Sequence, residues 1–219
     1  MSEYVIQGQT LTDIAAAIRA KSSTQEQYKP AQMAAAIEAI PSGGTEMEDM
    51  LVERPRTFVE YTNDRVTQVG SYAFYKSALE SMSLPNVTSV GSYATAEMSA
   101  IKEQYWPKVT SVLSNSFYNI PKLERIAFDG TVNFQGQSSM AYCPALTAVV
   151  IRSDELCTLG NKNVLQRTPI ADGGGYIYVP ESLVEEYRAA TNWATYAESI
   201  KGLSEAPQEV QEWLSSLNP

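Results

Sequence analysis

Few residues in this chain of 219 have the types and spacing that catalysis needs. The sequence contains no histidine, which removes the commonest general base and the most frequent zinc ligand. Residues 172–175 (DGGG) lack the Lys-Ser/Thr pair and the helix start of a phosphate-binding loop, so we interpret them as a turn. Glu185 and Glu186 are neighbours on one predicted helix and do not face each other across a cleft, as glycosidase carboxylates do. We predict a protein that is not an enzyme and has no cofactor.

Metal binding is not predicted either. Glu46, Glu48 and Asp49 cluster without the spacing or the glycine of an EF-hand loop, which indicates a solvated linker. Cys143 and Cys157 are too few for a four-thiolate site. The two cysteines form either one disulfide or two buried free thiols, and the second alternative is the simpler interpretation.

The charge of the chain disfavours polyanionic partners. The formal net charge is −9 and the pI is about 4.6. Binding to phosphate backbones or to anionic lipid surfaces requires lysine and arginine, so we predict no nucleic acid partner and no membrane insertion. The first residues (MSEYVIQGQT) do not resemble a secretory signal, and no apolar stretch approaches the length of a spanning helix. We expect a protein made in the cytoplasm without a signal peptide.

Short apolar segments recur along the chain at a nearly constant spacing. The segment VTQV at 66–69 returns as VTSV at 87–90 and at 109–112. A second pattern, apolar-x-x-apolar-x-apolar, has its first residues 22, 22 and 23 positions apart, at Leu79, Ile101, Leu123 and Leu146. A partial fifth copy contains Ile177 and Val179. Each repeat therefore contains two short extended segments joined by a turn.

This spacing is that of leucine-rich and related solenoids, in which neighbouring repeats share one core. The alternative, a β-sandwich whose strands are similar by chance, does not explain why both patterns stay in register. The predicted fold is mainly β, with α+β content overall: a solenoid of short strands with an N-terminal helical hairpin and C-terminal capping helices. Gln104 replaces an apolar residue of the second copy, where we expect a local irregularity and not a break.

The repeat residues carry a family resemblance. The segment VTSVGSYA and its neighbours, over roughly residues 58–203, resemble the BspA-like (Treponema-type) leucine-rich repeats of bacterial surface proteins and phage proteins. This resemblance implies that the repeats are recognition surfaces and not catalysts.

The outward positions of the predicted strands form the candidate binding strip. Side chains alternate between the two faces of a strand, so these residues align in neighbouring columns. The proposed strip consists of Tyr105, Tyr176, Tyr178, Glu103 and Arg125. Tyrosine suits such a surface because it offers a flat apolar ring and a hydroxyl at low entropic cost. The alternative is that these aromatic residues pack under the capping helices or a neighbouring subunit.

The N-terminal segment, residues 8–40, predicts two helices with apolar stripes. The stripes consist of Leu11, Ile14, Ile18, Met33, Ile37 and Ile40. An Ala-rich segment of this size buries little surface alone, so its stripes need a partner: other copies, a larger particle or the repeats themselves. The stretch TLTDIAAAIRAK resembles the N-terminal segment of structural proteins from phages of Gram-positive bacteria, where it precedes variable domains of tail, baseplate or fibre proteins.

The C-terminal segment predicts capping helices. A helix with Leu183, Val184 and Tyr187 should follow Pro180, and a second should run through Trp193 to Ile200. Such helices would cover the exposed core at the end of the repeats. The tail is predicted as an amphipathic helix that folds back or contacts a neighbouring subunit, with Val210, Trp213, Leu214 and Leu217 on one side.

These observations predict four regions: an anchoring or oligomerisation segment at 1–42, a linker at 43–57, the repeats at 58–180 and a C-terminal cap at 181–219. The interpretation that joins them is a phage virion structural protein in a fibre, tail, baseplate or head decoration. It would be located in the virion, form a homotrimer, contact other virion proteins and present its repeats to a host glycan or protein. The alternatives are an adhesin on the bacterial cell surface and an intracellular interaction scaffold.

Overall fold

The structure, a computed structural model, describes residues 59–217, which lie within one compact unit, Thr57–Pro219. The predicted hairpin and linker, including the stripe residues from Leu11 to Ile40, lie outside the described residues. Among the residues described, no helix is long and apolar enough to cross a membrane.

Parallel strands of three or four residues stack along one side of the repeats, which we call the long-strand side. Hydrogen bonds join five of them in the order β12-β11-β9-β7-β5, and join β1 to β3 separately. Their bounds are β1 Glu60–Thr62, β3 Ser81–Ser83, β5 Glu103–Trp106, β7 Arg125–Phe128, β9 Ala148–Ile151, β11 Tyr176–Val179 and β12 Ile200–Gly202. This side contains the apolar-x-x-apolar-x-apolar segments.

Two-residue strands form the short-strand side, where the V-T-x-V segments lie. They pair in parallel in the unbroken order β10-β8-β6-β4-β2. Their bounds are β2 Gln68–Val69, β4 Ser89–Val90, β6 Ser111–Val112, β8 Asn133–Phe134 and β10 Thr158–Leu159. Every strand pair in the described part of the chain is parallel, which excludes the antiparallel β-sandwich and fits a mainly β leucine-rich repeat fold.

A third ladder of backbone hydrogen bonds runs along the corner that follows each short strand. Tyr72 N donates to Ser92 O and Tyr93 N donates to Ser114 O, and the same pattern continues into later repeats. Four of these corners contain two non-glycine residues each with φ between 52° and 62°, four positions apart. These pairs are Tyr72 and Lys76, Tyr93 and Glu97, Asn115 and Asn119, and Ser138 and Tyr142.

One apolar core runs through all the repeats. Inward residues of both strand sides are buried, from Val69 in the first short strand to Ile200 in β12. A row of aromatic rings occupies its centre, in which Trp106 contacts Phe117 and Phe117 contacts Phe128. One repeat cannot bury its own apolar face, so each depends on its neighbours for stability.

The second copy is irregular, and the irregularity lies on one side only. No backbone ladder joins β3 to β5 in the described chain, whereas β4 pairs with both β2 and β6 on the short-strand side. Gln104 occupies the inward position of β5 and is buried, with its Oε1 accepting a hydrogen bond from Trp106 Nε1 at 3.1 Å. The expected irregularity is thus present, and it does interrupt hydrogen bonding on the long-strand side.

The C-terminal cap differs in part from the prediction. Helix α1 is short, Val184–Ala189, and the predicted second helix is a 3-10 segment, Trp193–Ser199, that ends before Ile200. Residues Ile200–Gly202 form β12, which pairs with β11 and was not predicted. Tyr187 and Trp193 are buried against the last repeat, where the Trp193 Nε1 donates to the Cys157 carbonyl at 2.8 Å. An extra strand satisfies the backbone of β11 that a helix alone would leave unpaired.

Helix α2, Gln208–Ser216, follows and folds back onto the long-strand side. Of the two predicted alternatives for this tail, folding back or contact with a neighbouring subunit, the structure shows that it folds back.

Candidate interaction surface

Strand register brings the predicted strip together on the outer face of the long-strand side. Glu103 pairs with Arg125, and Tyr105 pairs with Ala127. In the last repeats, Tyr176 and Tyr178 pair with Ala148 and Val150. The sequence columns therefore exist as ladders of side chains, in the predicted order.

Helix α2 covers most of this outer face. Val210 and Trp213 of α2 pack with Tyr178 and Val150 in an apolar cluster that is separate from the main core. Tyr178 is only 2% exposed as a result. The Arg125 guanidinium lies 5.6 Å from the Trp213 ring centre, and its Nη1 donates to the Glu209 carbonyl at 3.1 Å. The tail therefore fills the surface that the strand pattern offers for binding.

Tyr105 is engaged inside the molecule as well. Its hydroxyl donates to Asp129 Oδ2 at 2.6 Å and accepts from Arg152 Nη2 at 3.1 Å. Arg152 also pairs with Asp129, from Nε to Oδ1 at 2.6 Å. Partial burial and the carboxylate of Asp129 raise the pKa of Tyr105 to about 12. Asp129 joins three successive repeats through this network.

Arg125 and Glu103 form an ion pair, from Nε to Oε1 at 2.9 Å. Tyr176 is half-buried, with Lys201 Nζ 3.8 Å from its ring centre and Tyr178 6.2 Å away, centre to centre. Each of the five proposed residues thus has an intramolecular partner, and four of them keep partial exposure.

A different surface presents free aromatic side chains. Five tyrosines follow one another along the corner ladder, and we call them the tyrosine row. Their ring centres lie 5.1 to 6.4 Å from the next, and the members are Tyr72, Tyr75, Tyr93, Tyr118 and Tyr142. Tyr72 is 56% exposed and Tyr142 is 41% exposed, whereas the other three are half-buried. The row extends over four repeats without an element packed on it in the described part of the chain.

The tyrosine row is rigid because its backbone and its rings are both held. Backbone hydrogen bonds fix the corner of each repeat, and the rings of Tyr72 and Tyr93 stack with only 5° between their planes. Tyr118 contacts Tyr93 on one side and Tyr142 on the other. Little conformational freedom would be lost when a partner covers such a surface.

The backbone under the row is strained. Tyr72, Tyr93 and Tyr142 adopt φ of 62°, 56° and 60°. A bulky side chain in the left-handed region costs roughly 1–2 kcal/mol, whereas asparagine tolerates it. Asparagine occupies both positions of the third corner, Asn115 and Asn119. Strain of this kind is found most often at functional surfaces.

Electrically the row is nearly neutral and rich in hydrogen-bonding groups. Tyr75 donates its hydroxyl hydrogen to Glu97 Oε1 at 2.9 Å, and Glu97 also pairs with Lys76 at 3.6 Å. Within the described residues, no protein partner accepts from or donates to the hydroxyls of the other four tyrosines. These hydroxyls are available to a ligand.

The tyrosine row has its own repeated sequence motifs, which lie outside the predicted strands. The tripeptide GSY occurs at 70–72 and 91–93, and the dipeptide FY occurs at 74–75 and 117–118. Both lie in the turns after the V-T-x-V segments. The predicted strip consists of outward positions of the strands. The tyrosine row is missing from that prediction because its members lie in the turns.

Among the described residues, no group of three or more Cys, Asp or Glu side chains is placed to hold a metal ion. Cys143 and Cys157 are buried and unbridged, so the disulfide alternative does not hold in this structure. Burial raises the pKa of the Cys143 thiol to about 12, and it raises the pKa of Cys157 as well. Neither thiol is a ready nucleophile.

The repeat geometry agrees with a known family. The model of the BspA-type leucine-rich repeat region matches residues 58–169 with six copies. The chain belongs to this family. No curated protein matches the chain. A repeat region of this family suggests a protein-binding or adhesin-like role, and such repeats are typically non-enzymatic. The tyrosine row of this BspA-type protein lies wholly within the matched residues.

Proposed function

We propose that this BspA-type protein is a non-enzymatic binding module and that the tyrosine row is its partner-binding surface. The observation that carries the proposal is the exposed, rigid row itself, which continues over four repeats. Tyrosine is among the residues most enriched at binding hot spots, because one ring supplies both apolar contact and a hydroxyl. Substituting the row should abolish binding while the fold is retained.

The row suits a protein better than a carbohydrate. Sugar rings bind aromatic residues through free ring faces, but Tyr72 and Tyr93 direct faces at each other. Tyr118 is engaged by Tyr93 and Tyr142 on two sides. The hydroxyls of four of these tyrosines have no protein partner within the described residues, and such groups suit the backbone carbonyls and polar side chains of a protein.

The proposed biological setting is a phage particle. In this hypothesis, the N-terminal helical hairpin anchors the chain to the virion as a homotrimer and the solenoid projects towards the host cell. The support is the resemblance of the N-terminal segment to phage structural proteins. Apolar stripes that include Ile14 and Ile37 would form the trimer or the contact with other virion proteins.

The second candidate is a bacterial surface adhesin with the same tyrosine row. The family itself favours this candidate, because BspA-type repeat proteins are often surface-associated. In an adhesin the repeats would bind a neighbouring cell or tissue protein, and the N-terminal segment would be a spacer or an assembly element.

Localisation separates the two candidates. An antibody against an exposed loop of the repeats would be used on the source culture after density fractionation into cytosol, cell envelope and particles. Signal in the particle band, with gold label on virions in the electron microscope, is the result expected for a virion protein. Signal confined to the envelope of intact cells would reject the virion role and leave the adhesin.

A further inference from the structure

A groove opens where the irregular repeat interrupts the long-strand side. It has a volume of about 550 Å³ and lies between β3, β5 and the end of α2. Its apolar wall consists of Met82, Ala100, Tyr105, Trp213 and Leu217. The volume is within the range of known ligand sites, about 300–1,000 Å³.

The groove continues an interface that the molecule already uses. Helix α2 covers the outer face from β11 to β7 with an apolar stripe, and Trp213 and Leu217 at its end form one wall of the groove. Tyr105 of β5 packs at the edge of the apolar cluster under α2, whereas β3 contributes no residue to it among the described residues. An apolar side chain in the groove would therefore extend the contact that Trp213 begins.

Backbone groups are also accessible here. Because no backbone ladder joins β3 to β5, the facing edges of these strands keep N–H and C=O groups without a strand partner in the described chain. A peptide backbone can satisfy such groups, which an aliphatic ligand cannot do.

Charges of opposite sign flank the groove. Lys102 pairs with Glu124 at 3.3 Å and Glu103 pairs with Arg125, but Glu80 and Lys122 form no ion pair within the described residues. Glu80 immediately precedes β3, whereas Lys122 lies two repeats further on, before β7. Two strand spacings separate these positions by on the order of 10 Å.

We propose that the groove binds a peptide segment of a partner protein in which one large apolar side chain lies between a basic and an acidic side chain. The apolar side chain enters the groove beside Trp213. The basic side chain pairs with Glu80, and the acidic side chain pairs with Lys122. This site is separate from the tyrosine row, and a partner could occupy either surface alone.

The test uses the full chain, labelled with ¹⁵N, and the synthetic peptide acetyl-Lys-Leu-Glu-amide. We expect saturable shifts of the Trp213 indole and Ala100 amide signals, with a Kd on the order of 1 mM for so small a ligand. Acetyl-Lys-Leu-Lys-amide and acetyl-Glu-Leu-Glu-amide should bind more weakly.

Reversal of one rim charge makes the test specific. Lys122→Glu gives the groove two acidic ends, so the preferred peptide should change to acetyl-Lys-Leu-Lys-amide. Lys162→Glu, an exposed substitution outside the groove, changes the net charge equally and should leave the original preference intact.

Three results would overturn the proposal. One is the absence of saturable shifts in the wild-type protein. Another is the same change of preference in both charge variants, which would indicate a general charge effect. The third is a concentration-dependent shift of these signals without peptide, which would mean that the groove contacts a second copy of the chain.

Discussion

Tyr72 and Tyr93 occupy equivalent positions in successive repeats and stack with ring centres 5.1 Å apart and planes 5° from parallel. Both residues have positive φ, so the stack rests on two strained corners. The corner ladder holds them there, since each backbone N–H donates to the next repeat. The repeats thus place the ring of one corner on the ring of the next, at about the distance between neighbouring strands. Tyrosines in successive turns therefore form one continuous surface.

If strain under the row serves binding, relief of the strain should not harm the fold. Tyr142→Asn replaces a ring at φ 60° by a residue that accepts this conformation, and removes one contact with Tyr118. Strain relief and the lost aromatic contact are each worth about 1 kcal/mol, so the free energy of unfolding should stay within about 0.5 kcal/mol of wild type. Urea titration measures this. A loss above about 2 kcal/mol would mean that Tyr142 is a structural residue.

Successive repeats approach each other closely at one of two glycines that share the sequence context V-G-S-Y. Substitution of these two glycines by alanine should therefore have different effects on stability. A Cβ at Gly91 would lie 2.6 Å from Ser71 N, whereas a Cβ at Gly70 would have nothing within 4 Å. Gly91→Ala should therefore destabilise the protein by about 2 kcal/mol or more. Gly70→Ala should be neutral or slightly stabilising, by about 0.5 kcal/mol, since it restricts the unfolded chain. Equal melting temperatures of the two variants would contradict this account of the corner.

The irregular repeat predicts coupling between Gln104 and Trp106. Gln104→Leu restores the apolar pattern but leaves the buried indole N–H of Trp106 without its acceptor, at a cost of about 1–3 kcal/mol. When Gln104→Leu is made in a Trp106→Phe background, no indole N–H is left without an acceptor, so this part of the cost should disappear. A double-mutant cycle should give a coupling energy of about 1 kcal/mol between the two positions. Strict additivity would show that the hydrogen bond contributes nothing.

Tyr105 should make stability depend on alkaline pH. Its pKa is raised to about 12 in the folded chain, whereas an unfolded tyrosine titrates near its usual value of about 10. The folded state thus favours the neutral phenol, and this stabilisation is complete below pH 10 and is lost as the pH rises from about 10 to 12. Tyr105→Phe lacks this contribution.

The comparison uses urea unfolding of both proteins at about pH 9 and pH 11. The free energy of unfolding should decrease less in Tyr105→Phe than in wild type, because other tyrosines contribute equally to both. Parallel decreases would mean that Asp129 and Arg152 do not hold the phenol in its neutral form.

Periodic features of the molecule could be predicted from the sequence, and non-periodic ones could not. The apolar spacing at Leu79, Ile101 and Leu123 reflects a core that each repeat must share, so it predicts both the short strands and their register. The position of α2 depends on a single amphipathic stripe. Such a stripe predicts a buried face without saying which surface buries it. For that reason the sequence places Tyr178 in a ladder but leaves open whether a helix covers it, as α2 does in the structure.

Strand β12 and the tyrosine row show two other limits. Ile200–Gly202 is only three residues long, and it joins the sheet because β11 lies beside it. Its local sequence pattern therefore does not predict a strand. The row depends on a positive φ at residues such as Tyr93, a conformation that tyrosine does not favour by itself. Tertiary hydrogen bonds impose it.

The most direct test of the central claim is the binding of the fluorescently labelled full chain to whole cells of the source culture. The variant to compare combines Tyr93→Ser, Tyr118→Ser and Tyr142→Ser, and Tyr176→Ser on the strand face is the matched control. Loss of two or more hot-spot side chains should weaken binding by on the order of 100-fold, while the control binds like wild type. Undiminished binding by the triple variant, or no saturable binding by the wild-type chain, would contradict the assignment of the tyrosine row as a binding surface.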